Sequence, residues 1–381
     1  MSAIERYVDW CRNTALPFWS QRAWDRRSGG FLESLSLDGS PVSGDSRRLR
    51  TQARQVYVFA RAHLAGWCDG YELAVDGYAL MEQRAKAPDG RDGWVHRLTD
   101  SGEVENPTRD LYDHAFVLLA LAWLYRLTRD PRYRRDADAL FTFLDRTFAS
   151  PHGGYEESRG GAPLPRRQNP HMHLFECMLS WHEVTGDDHY LDRAMAVLGL
   201  LETRFVDPVS GFLREFFDAE WRTDFARYGD VVEPGHELEW VCLLDAFRRV
   251  GRAVPAGLSD RLYRHANEFG LNADMGFMMS AVTSSGVPIH AGTRTWVQTE
   301  WLRATLARVR ANEAGALADA ENAACQLLKW HLDPAISGGW IDSLDEFGLR
   351  SADRIPASTL YHLLGAALDA DEVLAARRQT A

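Results

Sequence analysis

Three histidines and an arginine stand where side chains of their kind are costly. His173, His236 and His362 fall at the starts of largely apolar stretches, and Arg54 does the same near the beginning of the chain. Burial of a polar or charged group is unfavourable unless it is paired, which makes such residues candidates for chemistry. Imidazole titrates near pH 6.5, so it both takes and returns a proton at neutral pH. A group of them suits reversible proton transfer beside a carbonyl, where one group is base in one direction and acid in the other. Deprotonating the carbon next to an aldehyde gives an enediolate, whose oxygen charge calls for a fixed cation. Arg54 supplies a permanent one. Asp113, Glu176, Glu239 and Glu300 leave a second chemistry open, glycoside hydrolysis between two carboxylates about 5–9.5 Å apart. The excess of histidine favours proton shuttling.

The elements that must position these residues follow from an internal repeat. A glycine followed by an aromatic recurs at Gly30-Phe31, Gly93-Trp94, Gly154-Tyr155, Gly211-Phe212, Gly276-Phe277 and Gly339-Trp340, at intervals of 63, 61, 57, 65 and 63 residues. Five nearly equal gaps mark a repeat architecture. Before each glycine lies a one-faced helical pattern, as in Tyr133, Ala137, Leu140, Leu144 and Phe148. After it lies a segment apolar nearly all round, clearest over residues 115–125, as a helix buried on most sides requires. Helix starts are marked by Asn169-Pro170, read as a capping Asn and a first-turn Pro, and by Pro234 and Pro356. Six outer and six inner helices close best as a ring within a ring, since neither end carries the polar cap an open solenoid needs. The expectation is an all-α (α/α)6 barrel, one domain over residues 1–381, with the Gly-aromatic segments as short turns or hairpins between outer and inner helix.

Counted from the repeat glycines, the polar anomalies come at matched offsets: Arg54 at 24, Asp113 and His114 at 20 and 21, His173 at 19, His236 at 25, Gln298 at 22 and His362 at 23. Matched offsets in matched repeats gather them at one rim of the inner ring, as a polar pocket at the mouth of an apolar barrel. Glu239 lies one turn after His236 on the same helix face, where it can orient that imidazole or pair with a neighbouring helix. His114 fits either the pocket or a core hydrogen bond. Trp296 sits at the pocket end, and it, Tyr57 and Tyr112 fit core or rim packing as well as a sugar contact.

Other classes are disfavoured. The sequence has 381 residues, no run of about 18 apolar residues and no secretory leader pattern, so a membrane partner is not expected. A net charge of −11 without a long basic run argues against nucleic acid. Five cysteines without a CxxC pair read as reduced thiols of the cytoplasm. The three histidines come from different repeats with no HExxH spacing, and His171 and His173 project about 200° apart on a helix, so no metal is expected. Phosphate-cradling glycine loops are absent.

The ordered set Thr51-Gln-Ala-Arg54-Gln-Val-Tyr57, Leu111-Tyr112-Asp113-His114-Ala-Phe116, Asn169-Pro-His-Met-His173-Leu-Phe-Glu176, Pro234-Gly-His236-Glu-Leu-Glu239-Trp240, Trp296-Val-Gln298-Thr-Glu300 and Tyr361-His362 resembles the N-acylglucosamine 2-epimerase superfamily, which includes mannose isomerases, sulfoquinovose isomerases and cellobiose 2-epimerases. The resemblance spans nearly the whole chain and implies the same barrel. It implies that His236 and His362 are the proton-transfer pair, that Arg54 binds the oxygens at the reacting end and that Glu239 supports the catalytic histidine. His173 is implied to assist ring opening or hold the substrate, with Asn169 and Tyr112 as sugar contacts. Asp113, His114, Trp296, Gln298 and Glu300 are further candidates for the substrate pocket. Some members carry Gln four residues before the last histidine; here that position is Ser358. The implied activity is a cofactor-independent aldose–ketose isomerisation of a monosaccharide, D-mannose to D-fructose, through a cis-enediolate, with 2-epimerisation on the same pocket as the alternative.

Overall fold

The one-faced segments fold as outer helices and the apolar ones as inner helices. The computed structural model describes residues 1–159 and 165–380. The first outer helix, α1, runs from Ala3–Trp10 through a π-turn at Cys11–Ala15 into Leu16–Arg22. The others alternate: α2 Leu49–Leu64, α3 Tyr71–Ala85, α4 Leu111–Thr128, α5 Pro131–Thr147, α6 Asn169–Thr185, α7 His189–Leu200, α8 Pro234–Arg249, α9 Leu258–Gly270, α10 Thr295–Arg310, α11 Ala316–Leu327 and α12 Leu360–Thr380. Odd numbers form the outer layer and even numbers the inner one. Each inner helix packs on the next, and α12 returns to α2, closing the ring. This is the (α/α)6 barrel that the spacing predicts. Along α4 the run Ala115–Leu124 is buried on every side. Each such Leu, Val or Phe contributes about 1.5–3 kcal/mol by leaving water.

The segments between the layers pair differently from the expected hairpins. The short strand leading into each inner helix pairs with the strand after the next repeat's glycine. Arg47–Arg48 pairs with Arg97–Leu98, Arg109–Asp110 with Ser158–Arg159, Arg166–Arg167 with Phe216–Phe217, and Thr293–Arg294 with Ser343–Leu344. Val232 bridges Val282, and Arg354–Pro356 pairs with Ser34–Ser36. The last pairing joins the sixth repeat to the first, so the mouth is stitched in a circle as the helices are.

A side chain near the start of each of five inner helices then seizes the Gly-aromatic turn of its own repeat. Gln52 bonds both backbone groups of Phe31. His114 Nε2 accepts from Trp94 N–H at 3.0 Å, and His171 Nε2 from Tyr155 N–H at 3.0 Å. Glu237 accepts from Leu213 N–H, and Gln298 bonds both backbone groups of Met278. Two site candidates are corrected by this. The other ring nitrogen of His114 is held by the Asp110 carbonyl, and the Gln298 amide also reaches Thr293, so neither has a free group to offer a ligand. Burial pulls His114 down to about 4 and His171 to about 3, keeping both neutral and able to accept.

All five thiols are free, and among the described residues no helix is long and apolar enough to cross a membrane. Replacing His114 by Ala strands a buried N–H, a loss of about 1–3 kcal/mol, on top of a cavity. Chemical denaturation of His114→Ala should show a drop of that order or more.

Candidate active site

The clamping residue on each inner helix faces the outer layer, so the residue two positions later, about 200° round the helix, faces the barrel axis. Those residues are Arg54, Phe116, His173, Glu239 and Glu300, and His362 takes the corresponding place on α12. They make a closed ring. The Arg54 guanidinium lies 4.1 Å from the Phe116 ring centroid, and Phe116 lies 4.6 Å from the His173 ring. His173 Nε2 is 3.9 Å from Glu239 Oε1. Glu239, Glu300 and His362 bring ligand atoms within 4.8 Å of one another. Tyr361, 4.7 Å from His362 and 4.9 Å from Arg54, closes the circuit.

One helical turn nearer the mouth stand Arg50, Tyr112, Asn169, Gly235, Trp296 and Ser358. The indole of Trp296 fills the space above Gly235, where a Cβ would lie 2.6 Å from the ring. His236, next to Gly235, packs on the same indole at 5.1 Å, and His362 does so at 5.7 Å. The two imidazoles predicted to exchange protons are therefore neighbours of one aromatic wall. A cleft of about 590 Å³, lined in part by Glu233, Trp296 and the Pro288–His290 strand, leads outward from that wall.

Each imidazole has its own carboxylate. His236 Nδ1 donates to Glu215 at 3.0 Å, with Glu233 at 3.6 Å, and its Nε2 lies 3.0 Å from the Asn169 side-chain amide, whose oxygen accepts from the protonated ring once the amide is flipped. His362 Nδ1 donates to Glu300 at 2.8 Å, and Glu300 is held by Arg303, itself paired with Asp369. His173 Nδ1 bonds Glu176 at 3.0 Å. Their surroundings separate them. Burial pulls His236 down, but Glu215 and Glu233 more than reverse this and push it up to about 10. For His362, burial and then the charge of Arg54 hold the imidazole well below its usual range. Burial, with Glu300 and Glu176 nearby, keeps the Glu239 carboxyl well above the normal carboxylate range. At neutral pH these surroundings favour the protonated form of His236 and the neutral form of His362.

Arg54 has no carboxylate within ion-pair distance among the described residues. It donates to Tyr112 Oη at 2.9 Å and lies in a cage of Tyr112, Phe116 and Tyr361. A buried cation whose partners are aromatic faces and a phenol is poised for an anionic oxygen.

The structure gathers Arg54, His173, Glu239, Glu300 and His362 in one ring, with Tyr112, Asn169, Trp296 and His236 above it. Three readings change. Asp113 is a strut: one oxygen takes Arg50 at 3.1 Å and the other His96 at 2.6 Å, with none of it exposed. Glu239 does not orient His236, because its place two residues after the clamp turns it to His173 and Glu300; Glu215 bonds His236 instead. The Asn169 side chain does not cap its helix but bonds His236. Sequence reasoning missed Glu215 and His96, which belong to a collar with Glu33, Glu157 and Asp342, three or four residues after the repeat glycines. Their signal in the sequence is that shared short offset, distinct from the offsets near 20 of the helix residues.

Residues 29–366 match the sequence profile of the N-acylglucosamine 2-epimerase (GlcNAc 2-epimerase) family. The chain is 35% identical over 376 residues to a mannose-6-phosphate isomerase of Rhizobium meliloti, covering 96% of each. It is 24% identical over 365 residues to a cellobiose 2-epimerase of Bacteroides fragilis, covering 89% of this chain and 90% of the relative. A crystal structure of a D-mannose isomerase superposes with a TM-score of 0.87 at 21% identity over 97% of both chains, which shows a shared fold.

Gly235→Ala tests the packing of the upper level. The added methyl displaces Trp296, costs about 1–3 kcal/mol of overpacking and lowers kcat more than the melting temperature alone explains. Intrinsic fluorescence, stability and turnover of the same sample check this together.

Proposed function

The chain belongs to the N-acylglucosamine 2-epimerase family and is a sugar isomerase or epimerase of the isomerase class; we propose that it interconverts the aldose D-mannose and the ketose D-fructose, with His236 and His362 as acid and base. The observation that carries this reading is the pair of carboxylate-held imidazoles on Trp296, with Arg54 nearby bonded to Tyr112 and without a carboxylate partner among the described residues. In the open-chain sugar, neutral His362 takes the proton from C2 while protonated His236 gives one to O1. The product is a cis-enediol whose oxygen charge Arg54 offsets as it develops. His236 then takes the O2 proton, a carbonyl forms at C2, and His362 returns its proton to C1. Both imidazoles end as they began. Delivery to the opposite face of C2 would give the epimer instead. His173, Asn169, Tyr112, Trp296 and Glu300 serve as contacts or supports for the sugar, and Glu239, whose carboxyl burial holds well above the usual carboxylate range, is a further polar group within the ring.

A neutral sugar is favoured by the state of the mouth's cations. Arg47 is paired with Asp25, Arg48 with Glu33, Arg50 with Asp113, Arg167 with Glu157 and Arg354 with Asp45. A phosphate at C6 would have to compete with a carboxylate for any of these. The second reading takes mannose 6-phosphate, supported by the name of the Rhizobium relative. The third is 2-epimerisation, supported by the Bacteroides one.

Incubation with mannose in D2O, followed by NMR, separates them. Fructose carrying deuterium at C1 is the expected product. Glucose with deuterium at C2 and no ketose would replace the proposal with the epimerase, and turnover confined to mannose 6-phosphate would replace the neutral sugar. His362→Ala should lose about 10²–10⁴-fold in kcat, as removal of a positioned acid–base group does.

The pH dependence has a definite sign. A raised imidazole pKa means that His236 stabilises the fold fully below about 6.5, its unfolded value. That contribution is lost as pH rises through about 10. Stability and forward turnover should therefore both fall on the alkaline side in the parent. A His236→Gln variant should lack that alkaline component of the stability curve.

A further inference from the structure

His236 Nδ1 has two acidic neighbours of unlike character. Glu215, in the collar after the Gly211 turn, is 3% exposed and bonds Nδ1 at 3.0 Å. The Glu233 side chain is 29% exposed and 3.6 Å away. Glu215 is also held from behind. Its second carboxylate oxygen accepts from Gln168 Nε2 at 3.1 Å, and the Gln168 side-chain oxygen accepts from Trp240 Nε1–H at 2.9 Å. Gln168 immediately precedes α6 and Trp240 lies within α8, so the chain of bonds crosses from the third repeat to the fourth. Trp240 in turn packs on Phe175 at 5.4 Å, fixed in the core. The backbone adds a further tie, from Gln168 N–H to the Glu215 carbonyl at 3.4 Å.

A histidine that presents one nitrogen to a reaction needs the other nitrogen's hydrogen bond to set its tautomer and orientation. Among the described residues only Glu215 is placed to do this with a fixed geometry, because both of its oxygens are engaged and its amide partner has one donor and one acceptor already committed. Glu233, half-buried at the rim and 3.6 Å away, contributes field without a directed hydrogen bond.

We propose that Glu215 is the positioning residue for His236, held in place by Gln168 and Trp240, and that this relay turns Nε2 toward the pocket and sets the alkaline limit of the reaction. The inference rests on the reading of His236 as an acid–base group. Atoms are conserved throughout: Glu215 accepts a hydrogen bond and takes no proton.

The test compares Glu215→Gln with Glu233→Gln. The first keeps the size of the side chain and removes its charge. Its kcat should fall about 10- to 100-fold, part of the 10²–10⁴ that a positioned acid–base group supplies. KM should stay within about 2-fold, and the alkaline limb of the kcat profile should move to lower pH. Glu233→Gln should change kcat by less than about 3-fold, because Glu233 is half-buried at the rim and makes no hydrogen bond that orients the ring. The ring nitrogens of His236, followed by ¹⁵N NMR in the substrate-free protein, should titrate at lower pH in Glu215→Gln than in the parent. An unmoved alkaline limb with an unmoved nitrogen titration would overturn the proposal, as would a larger effect from Glu233→Gln. Should Glu215→Gln fail to fold, Gln168→Met reads the same relay by freeing one oxygen of Glu215. A smaller shift in the same direction supports the proposal, and an unchanged profile overturns it. The nitrogen titration reads the Glu215–His236 coupling whether or not His236 is catalytic. A fully active His236→Gln would instead remove the catalytic reading beneath it.

Discussion

The turn between the layers contains a backbone N–H that its own loop does not satisfy. A buried donor left unpaired costs about 1–3 kcal/mol, and in five repeats a side chain near the start of the inner helix meets it. That contact fixes the rotation of the helix about its axis. With Gln52, His114, His171, Glu237 and Gln298 turned outward, helical geometry turns the residues two later inward. The ring of Arg54, Phe116, His173, Glu239 and Glu300 is a geometric consequence of holding the turns. The upper level follows too, since residues four back from the ring stand one turn nearer the mouth. A barrel that keeps its clamps can change its chemistry simply by changing the residues two positions along.

Charge is distributed unevenly around this ring. Glu176, Glu239 and Glu300 converge on one side, while Arg54 sits among aromatic faces on the other. Beneath Glu300 the pair Arg303–Asp369 holds the carboxylate on its histidine. The two imidazoles consequently meet opposite fields although they share one indole. His236 has Glu215 and Glu233 behind it, and His362 has Arg54 near it. Two groups of the same type are driven apart in proton affinity by their neighbours, and this lets one donate while the other accepts at a single pH.

Much of this was legible in the residues. The Gly-aromatic spacing revealed six repeats and thereby the barrel, because spacing survives where no single motif is informative. Matched offsets located Arg54, His173, His236 and His362 at one rim. The same counting drew in His114 and Gln298, since an offset near 20 resolves which turn of the helix a residue occupies but not which side it faces. The observation that His171 and His173 point about 200° apart already contained the distinction between clamp and ring. Applied to the other repeats, it would have separated Gln298 from Glu300 and His114 from Phe116. Glu215 and His96 were hidden for another reason. They reach the site from the loops of the collar, three or four residues after the repeat glycine, outside the helical stretch in which the offsets near 20 fall.

The remaining cost of the design lies at Arg54. A guanidinium withdrawn from water without a carboxylate loses several kcal/mol of hydration. Cation–π contacts return about 2 kcal/mol or more each when desolvated, and the bond to Tyr112 returns a little more. A carboxylate in the cage would balance the charge more completely, but it would also neutralise the field that the reaction needs. The aromatic cage holds the cation without spending its charge, because a quadrupole attracts it while leaving its hydrogen-bond donors free. In the proposed reaction the strongest partner available to Arg54 is then an oxygen that becomes anionic only as the sugar reacts. That oxygen is bound more tightly in the transition state than in the substrate, which is the condition for an interaction to accelerate a step rather than merely bind. The incomplete pairing that weakens the resting protein is the same property that fits this ring to enediolate chemistry.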